Sequence, residues 1–250
     1  MYCYASPLKY VDPSGNDSYI ITINPPEDIN NQERDWPGNA EDMKRQIQKK
    51  YEGEIVHIIY VKNEDELFDA WNSMGGDCIR VGAREEYEDI EEKNINIVVI
   101  NTHGDNGGLY FKSVGEQTKI SDLKNEMDEK TVKGVILGGC NTGHYDYVND
   151  NVAAFFATLT NGSYVFACDG SVQIYSYEEE TFFDTDLFFD FQWEEKKGEA
   201  QRIKHGWLVY QRVNGDTKVM TTELKDIHDT YANHKVSFGE MLKIIDGKKE

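Results

Sequence analysis

Residues 95–104 read INIVVINTHG, and residues 132–143 read VKGVILGGCNTG. Each is an apolar run that stops at a small polar cluster holding one reactive side chain, His103 in the first and Cys140 in the second. The first run sets β-branched residues side by side, so both of its faces are apolar. That is the pattern of a parallel strand buried from both sides. In an open parallel sheet, groups that act on a ligand gather at the carboxyl ends of the strands. The two stretches therefore predict a fold and, with it, the place to look for chemistry.

Outward from them, strand and helix signals alternate. SYIITIN (18–24) predicts a first strand, and NAEDMKRQIQKKY (39–51) a helix that begins near an asparagine cap at Asn39. EIVHIIYV (54–61) predicts the second strand; NEDELFDAWNSM (63–74) follows as a helix with a cap at Asn63 and an acidic first turn. Residues 95–102 are the third strand. After the His103 loop, GLYFKS and TKI predict a small hairpin, and SDLKNEM a short helix. Residues 132–139 form the fourth strand, NDNVAAFFATLT a helix, and SYVFAC (163–168) the fifth strand. This order predicts an α/β/α sandwich with a mostly parallel central sheet. Beyond residue 175 the logic changes. EEETFFDTDLFFDF is acidic and aromatic, HGWLVYQRV and TKVMTTEL predict a hairpin across Asn214-Gly215, and SFGEMLKII a closing helix. No internal repeat or long linker interrupts residues 17–250, which read as one domain.

Composition narrows the partners. With 46 Asp+Glu against 26 Lys+Arg, the net charge of −20 repels a phosphate backbone, and KRQIQKK and EEKKGE are the longest basic fragments. No nucleic-acid partner is expected. No apolar run reaches the length of a membrane span, and the first residues lack the order of a signal peptide, so a soluble chain without a membrane partner is expected. The four cysteines, Cys3, Cys78, Cys140 and Cys168, are dispersed and show no CxxC spacing, which predicts free thiols and no zinc site.

His103 and Cys140 end successive core strands 37 positions apart. A thiol and an imidazole at adjacent strand ends supply a nucleophile and a proton carrier for acyl transfer. Gly104 leaves its backbone N–H open to a substrate oxygen, and the Cys140 N–H offers a second donor for an oxyanion. The plainer readings stand beside this one. A cysteine ending a buried strand often only fills space, and Cys168 is read that way. His144 is read as a loop cap and His57 as a core or edge histidine. His228 and His234 lack metal-pair spacing, and EYEDIEE (86–92) and the glutamates at 178–180 read as solvated faces with at most weak Ca²⁺ affinity.

The placement of His-Gly after one hydrophobic block and GGCNTG after the next is similar to the caspase-like cysteine peptidases of clan CD. GGCNTG is similar to the SACxTG of the CHAT domains in that group, with Gly138-Gly139 where Ser-Ala is usual. The resemblance spans roughly residues 18–175. It implies a caspase-like sandwich, a catalytic dyad of Cys140 and His103, oxyanion donors at Gly104 and Cys140, a protein or peptide substrate, and no metal or organic cofactor. It also implies that the segment after the fifth strand walls the specificity pocket. There Asp169, beside Gly170, would favour cleavage after Lys or Arg, or else simply cap a turn.

A second resemblance lies at the start. YCYASPLKYVDPSGN (2–16) resembles the closing motif of the RHS/YD-repeat core, with ASPL where NNPL is usual. It implies that residues 17–250 are a C-terminal effector or toxin cut from a longer protein, with Met1 added. Such an effector would be delivered to a target-cell cytosol, with an immunity protein or the RHS carrier shell as partner. A catalytically inactive caspase-like interaction module, and a toxin of another hydrolase class, are the alternative readings.

Overall fold

The computed structural model describes residues 16–23, 35–75, 94–111, 117–160, 162–186, 205–227 and 235–247. The RHS-like tail, Cys3, Cys78, the acidic run 86–92, His228 and His234 lie outside the described residues. In chain order the first half runs β1 (Asn16–Ile23), α1 (Trp36–Lys50), β2 (Ile55–Val61), α2 (Glu64–Ser73), β3 (Asn94–Asn101), β4 (His103–Asp105), β5 (Gly108–Tyr110), β6 (Thr118–Lys119) and α3 (Ile120–Glu126). The second half runs β7 (Val132–Leu137), a 3-10 turn (Tyr145–Tyr147), α4 (Val152–Leu159), β8 (Tyr164–Asp169), β9 (Ser171–Tyr177), β10 (Glu180–Asp186), β11 (Gly206–Val213), β12 (Asp216–Thr221), β13 (Lys235–Ser237) and α5 (Phe238–Ile245).

Seven strands form the central sheet in the order β12-β11-β8-β7-β3-β1-β2. The five strands from β2 to β8 are parallel, and β11 and β12 join antiparallel at the far edge. Side chains alternate between two apolar layers, as a period of two requires. Val98, Ile100, Val135 and Leu137 pack with Trp71, Leu123 and Phe156, whereas Val99, Ile136, Phe166 and Trp207 pack with Met43, Ile47, Met241 and Leu242. The result is the expected α/β/α sandwich around a mostly parallel sheet.

The winding explains the C-terminal third. From β1 the chain steps one way to β2, then reverses past β1 to β3 and continues in that direction to β7 and β8. Right-handed crossovers put helices on opposite faces when the direction reverses. Accordingly α1 lies on one face, and α2, α3 and α4 lie on the other. One helix cannot cover a face that wide. The remainder is covered by a three-stranded sheet, β13-β10-β9, and by α5. Helix α5 sits so close to the sheet that a methyl group on Gly134 would collide with the Ile245 side chain. Its start is fixed by a capping box in which Ser237 accepts from the Glu240 N–H and Glu240 accepts from the Ser237 N–H.

Most local expectations agree with the structure. Asn63 caps α2, and Asn214 (φ 53°) with Gly215 (φ 91°) turns the β11–β12 hairpin. Helix α1 is a correction: its cap is Asp35, whose carboxylate accepts the Gly38 N–H at 3.0 Å, while Asn39 is buried inside the helix. Pro37 accounts for the earlier start, since its fixed φ suits the first turn and its missing N–H costs nothing there. The β9–β10 hairpin went unassigned because its turn is made by Glu178 and Glu179, both at positive φ, with no glycine or asparagine to mark it.

Candidate active site at the ends of two core strands

The parallel register pairs Val98 with Val135, Val99 with Ile136 and Ile100 with Leu137. The ladder runs on past the strand ends, since the Gly138 N–H donates to the Ile100 carbonyl at 2.9 Å. Three steps further along the two strands stand His103 and Cys140. The chains remain in contact there: a methyl group on Gly139 would come within 3.1 Å of both Gly104 Cα and Gly104 N. Thr142 closes the join. It is fully buried, its Oγ1 donates to the Gly139 carbonyl at 3.0 Å, and its Cγ2 would be 2.7 Å from a methyl on Gly104. Close approach thus accounts for the glycines of HG and GG, by the Gly104 backbone at Gly139 and by the Thr142 and Asn101 side chains at Gly104 and Gly138.

Cys140 is partly exposed, and its Sγ accepts the Val172 N–H at 3.2 Å. That donor comes from β9, which the chain enters by turning at Gly170 (φ 155°). Asn141, at φ 50°, reverses the chain after the thiol and donates its N–H to the Gly170 carbonyl at 2.7 Å. A backbone N–H aimed at sulfur strengthens as the sulfur gains negative charge. His103 is partly exposed, and its ring stands nearly perpendicular to that of Trp36, with 5.4 Å between centroids. Trp36 opens α1, so the Asp35 cap and Pro37 also fix the wall beside the imidazole.

Sequence reasoning passed over Asp105. Its Oδ1 accepts the N–H groups of Gly107 and Gly108 and the Gln117 amide, and its Oδ2 accepts the Tyr110 hydroxyl. Burial first, then the Asp105 bond, pushes the Tyr110 hydroxyl well above its usual range, so it remains a donor. The hairpin that carries His103 and Gly104 is therefore tied from within by one carboxylate. The signal was present in the sequence as D-N-G-G, an Asx-turn pattern. Trp36, Thr142 and Val172 carried no such signal, because their roles depend on tertiary approach.

The other candidates have surroundings of their own. Asp169 is fully buried and bonded to two backbone groups, accepting the His205 N–H at 2.9 Å and the Tyr145 N–H at 3.3 Å. Tyr145 and His205 also meet ring to ring at 4.5 Å, so Asp169 joins two segments next to the Cys140 loop. Cys168 lies fully buried in the second apolar layer, and its carbonyl accepts the Gly143 N–H. His144 precedes the 3-10 turn and packs on Tyr147. His57 stands on the edge strand β2, stacked on Tyr19. Among the described residues, no three His, Cys, Asp or Glu side chains converge as a metal site, and no helix is long and apolar enough to cross a membrane. In comparison with known proteins, the chain matches no family model, no curated protein and no solved structure.

Proposed function

We propose that the chain is a caspase-like cysteine endopeptidase in which Cys140 is the nucleophile and His103 the proton carrier. The observation that carries this reading is the join at the strand ends. Gly104 lies against Gly139, next to a partly exposed thiol whose sulfur is held by a backbone N–H. In the proposed reaction the thiol proton passes to the imidazole and sulfur attacks the peptide carbonyl carbon. The tetrahedral oxyanion is held by the N–H groups of Gly104 and Cys140. The C–N bond then breaks as the imidazolium gives its proton to the leaving amine. Water, deprotonated by the imidazole, hydrolyses the thioester and restores thiol and imidazole.

In this reading the preferred residue before the scissile bond is Lys or Arg, drawn by the negative charge that Asp169 adds beside the Cys140 loop. The chain serves as the C-terminal effector of an RHS protein, acting in a target-cell cytosol and restrained by an immunity protein or the carrier shell. Cleavage profiling on a diverse peptide library, with a peptide electrophile to trap the thiol, tests the reaction. The wild type should cleave and be labelled once, at Cys140, and Cys140→Ala should do neither. Cleavage that persists in Cys140→Ala would end the peptidase reading.

A further inference from the structure

The side chain of Asn101 is fully buried, yet neither its Oδ1 nor its Nδ2 has a hydrogen-bond partner. Native proteins rarely bury an amide and leave both ends idle. Two further buried oxygens without partners adjoin the same residues: Thr102 Oγ1, just before His103, and Asn141 Oδ1, just after Cys140. Local rules are broken together here, and such breaches concentrate at functional sites.

The position of Asn101 gives the clue to its use. A methyl group on Gly138 would meet Asn101 Oδ1 at 2.7 Å and Ile174 Cδ1 at 3.0 Å. Ile174 follows Val172 on β9, and Val172 is the donor to Cys140 Sγ. His103 reaches the same α1 and β9 side of the sheet through Trp36. Asn101 therefore closes β3 two residues before His103, which opens β4, and it stands opposite Gly138, two residues before Cys140. Two residues of chain span at most roughly 7 Å, a gap that a histidine and an asparagine side chain can close between them. Packing does not call for an amide at this point, because the residues one rung earlier on the same face, Val99 and Ile136, are apolar.

We propose that Asn101 is a positioning residue for His103, its amide oxygen accepting an N–H of the imidazolium formed once the thiol proton has moved. This rests on the peptidase reading. Before the proton moves, the ring carries no charge and the amide stays idle. When the ring becomes a cation, a neutral acceptor supports it without a permanently buried charge.

Asn101→Leu is the test, since it keeps the side-chain shape and removes both polar atoms. The variant should melt no lower than wild type, because an unsatisfied amide has gone. Its kcat should fall by about 10- to 100-fold with KM steady, the scale of a disturbed acid–base group. The rate of Cys140 alkylation by iodoacetamide should shift to higher pH by about one unit, reflecting a roughly tenfold weaker imidazolium–thiolate pair. A lower melting temperature with unchanged kcat and unchanged alkylation profile would show that Asn101 is only structural and overturn the proposal. If the leucine variant does not fold, Asn101→Ala is judged by the same kcat and alkylation criteria. The alkylation arm needs no substrate. Should Cys140→Ala still cleave peptide, the peptidase reading fails, while a displaced profile still supports the Asn101–His103 link and an unmoved one overturns it.

Discussion

Gly104→Ala tests whether the His103 hairpin is braced against the Cys140 loop. The new methyl would stand 2.7 Å from Thr142 Cγ2, about 1 Å inside ordinary carbon contact. Thr142 cannot turn away freely, being fully buried with its hydroxyl bonded to the Gly139 carbonyl. Overpacking of this kind costs about 1–3 kcal/mol. Thr142→Ser removes the obstructing methyl and keeps the hydroxyl, at a cost of about 1 kcal/mol for the lost apolar contact. With both changes present, the next atoms around the alanine methyl are Cys140 O and Gly139 Cα, each at 3.4 Å, an ordinary contact. The double variant should therefore be close to Thr142→Ser alone, with a favourable coupling of about 1–3 kcal/mol, equal to the relieved overpacking. Urea unfolding followed by tryptophan fluorescence and by far-UV circular dichroism measures all four corners of the cycle. Costs that add to within about 0.5 kcal/mol would show that the two segments do not touch as described.

The remaining expectations concern single residues. His103→Ala should lower turnover by about 100-fold or more, and His144→Ala should do far less; the reverse order in a peptide-cleavage assay would assign the wrong base. Cys168→Ser should remain active but lose about 1–3 kcal/mol on denaturant titration, because it buries a hydroxyl in an apolar layer. Asp169→Ala should destabilise by about 2–5 kcal/mol through two orphaned backbone donors. Asp169→Asn, measured at high salt, reports on specificity: an unchanged profile there removes Asp169 from substrate choice. Asp246 holds α5 to α1 and β7 through Lys133, Lys50 and Tyr51. Burial alone would raise its pKa, but the bonds from Lys133, Lys50 and Tyr51 outweigh it and hold the carboxyl below the usual carboxylate range. Its unfolded pKa is therefore the higher one, so its contribution is present above that value and fades as pH falls through the folded one. Wild type should lose stability in that acid window by more than Asp246→Asn does, and parallel acid titrations of the two would refute the assignment.

The parallel half of the fold was legible because its strands are dense in β-branched residues and its helices announce themselves through Asn63 and a run of acids. Legibility failed where tertiary contact sets the conformation. Asn39 looks like a cap, yet its Nδ2 donates to the Ile174 carbonyl of β9 on the same face of the sheet, a contact made with a strand 135 residues away. The glutamate turn at 178–179 carries no local preference for positive φ, so the β9–β10 hairpin had no turn signal to mark it. Within the candidate site, His103, Gly104 and Cys140 were visible as strand ends. The Val172 donor was not, since no spacing rule links a thiol to an N–H from the next sheet.

The coverage of the second face also sets an order of events for the folding chain. The half-sheet over β7, β8 and β11 is roofed by β10, β13 and α5, and the tie from Lys133 to Asp246 spans 113 residues. Contacts so distant in sequence form late, after the cost of closing a long loop has been met. Until α5 docks, β7, β8 and β11 stand above an apolar surface that nothing yet covers. The packing beneath the strand end that precedes Cys140 is thereby set by segments about 100 residues further along the chain, so this face acquires its order last.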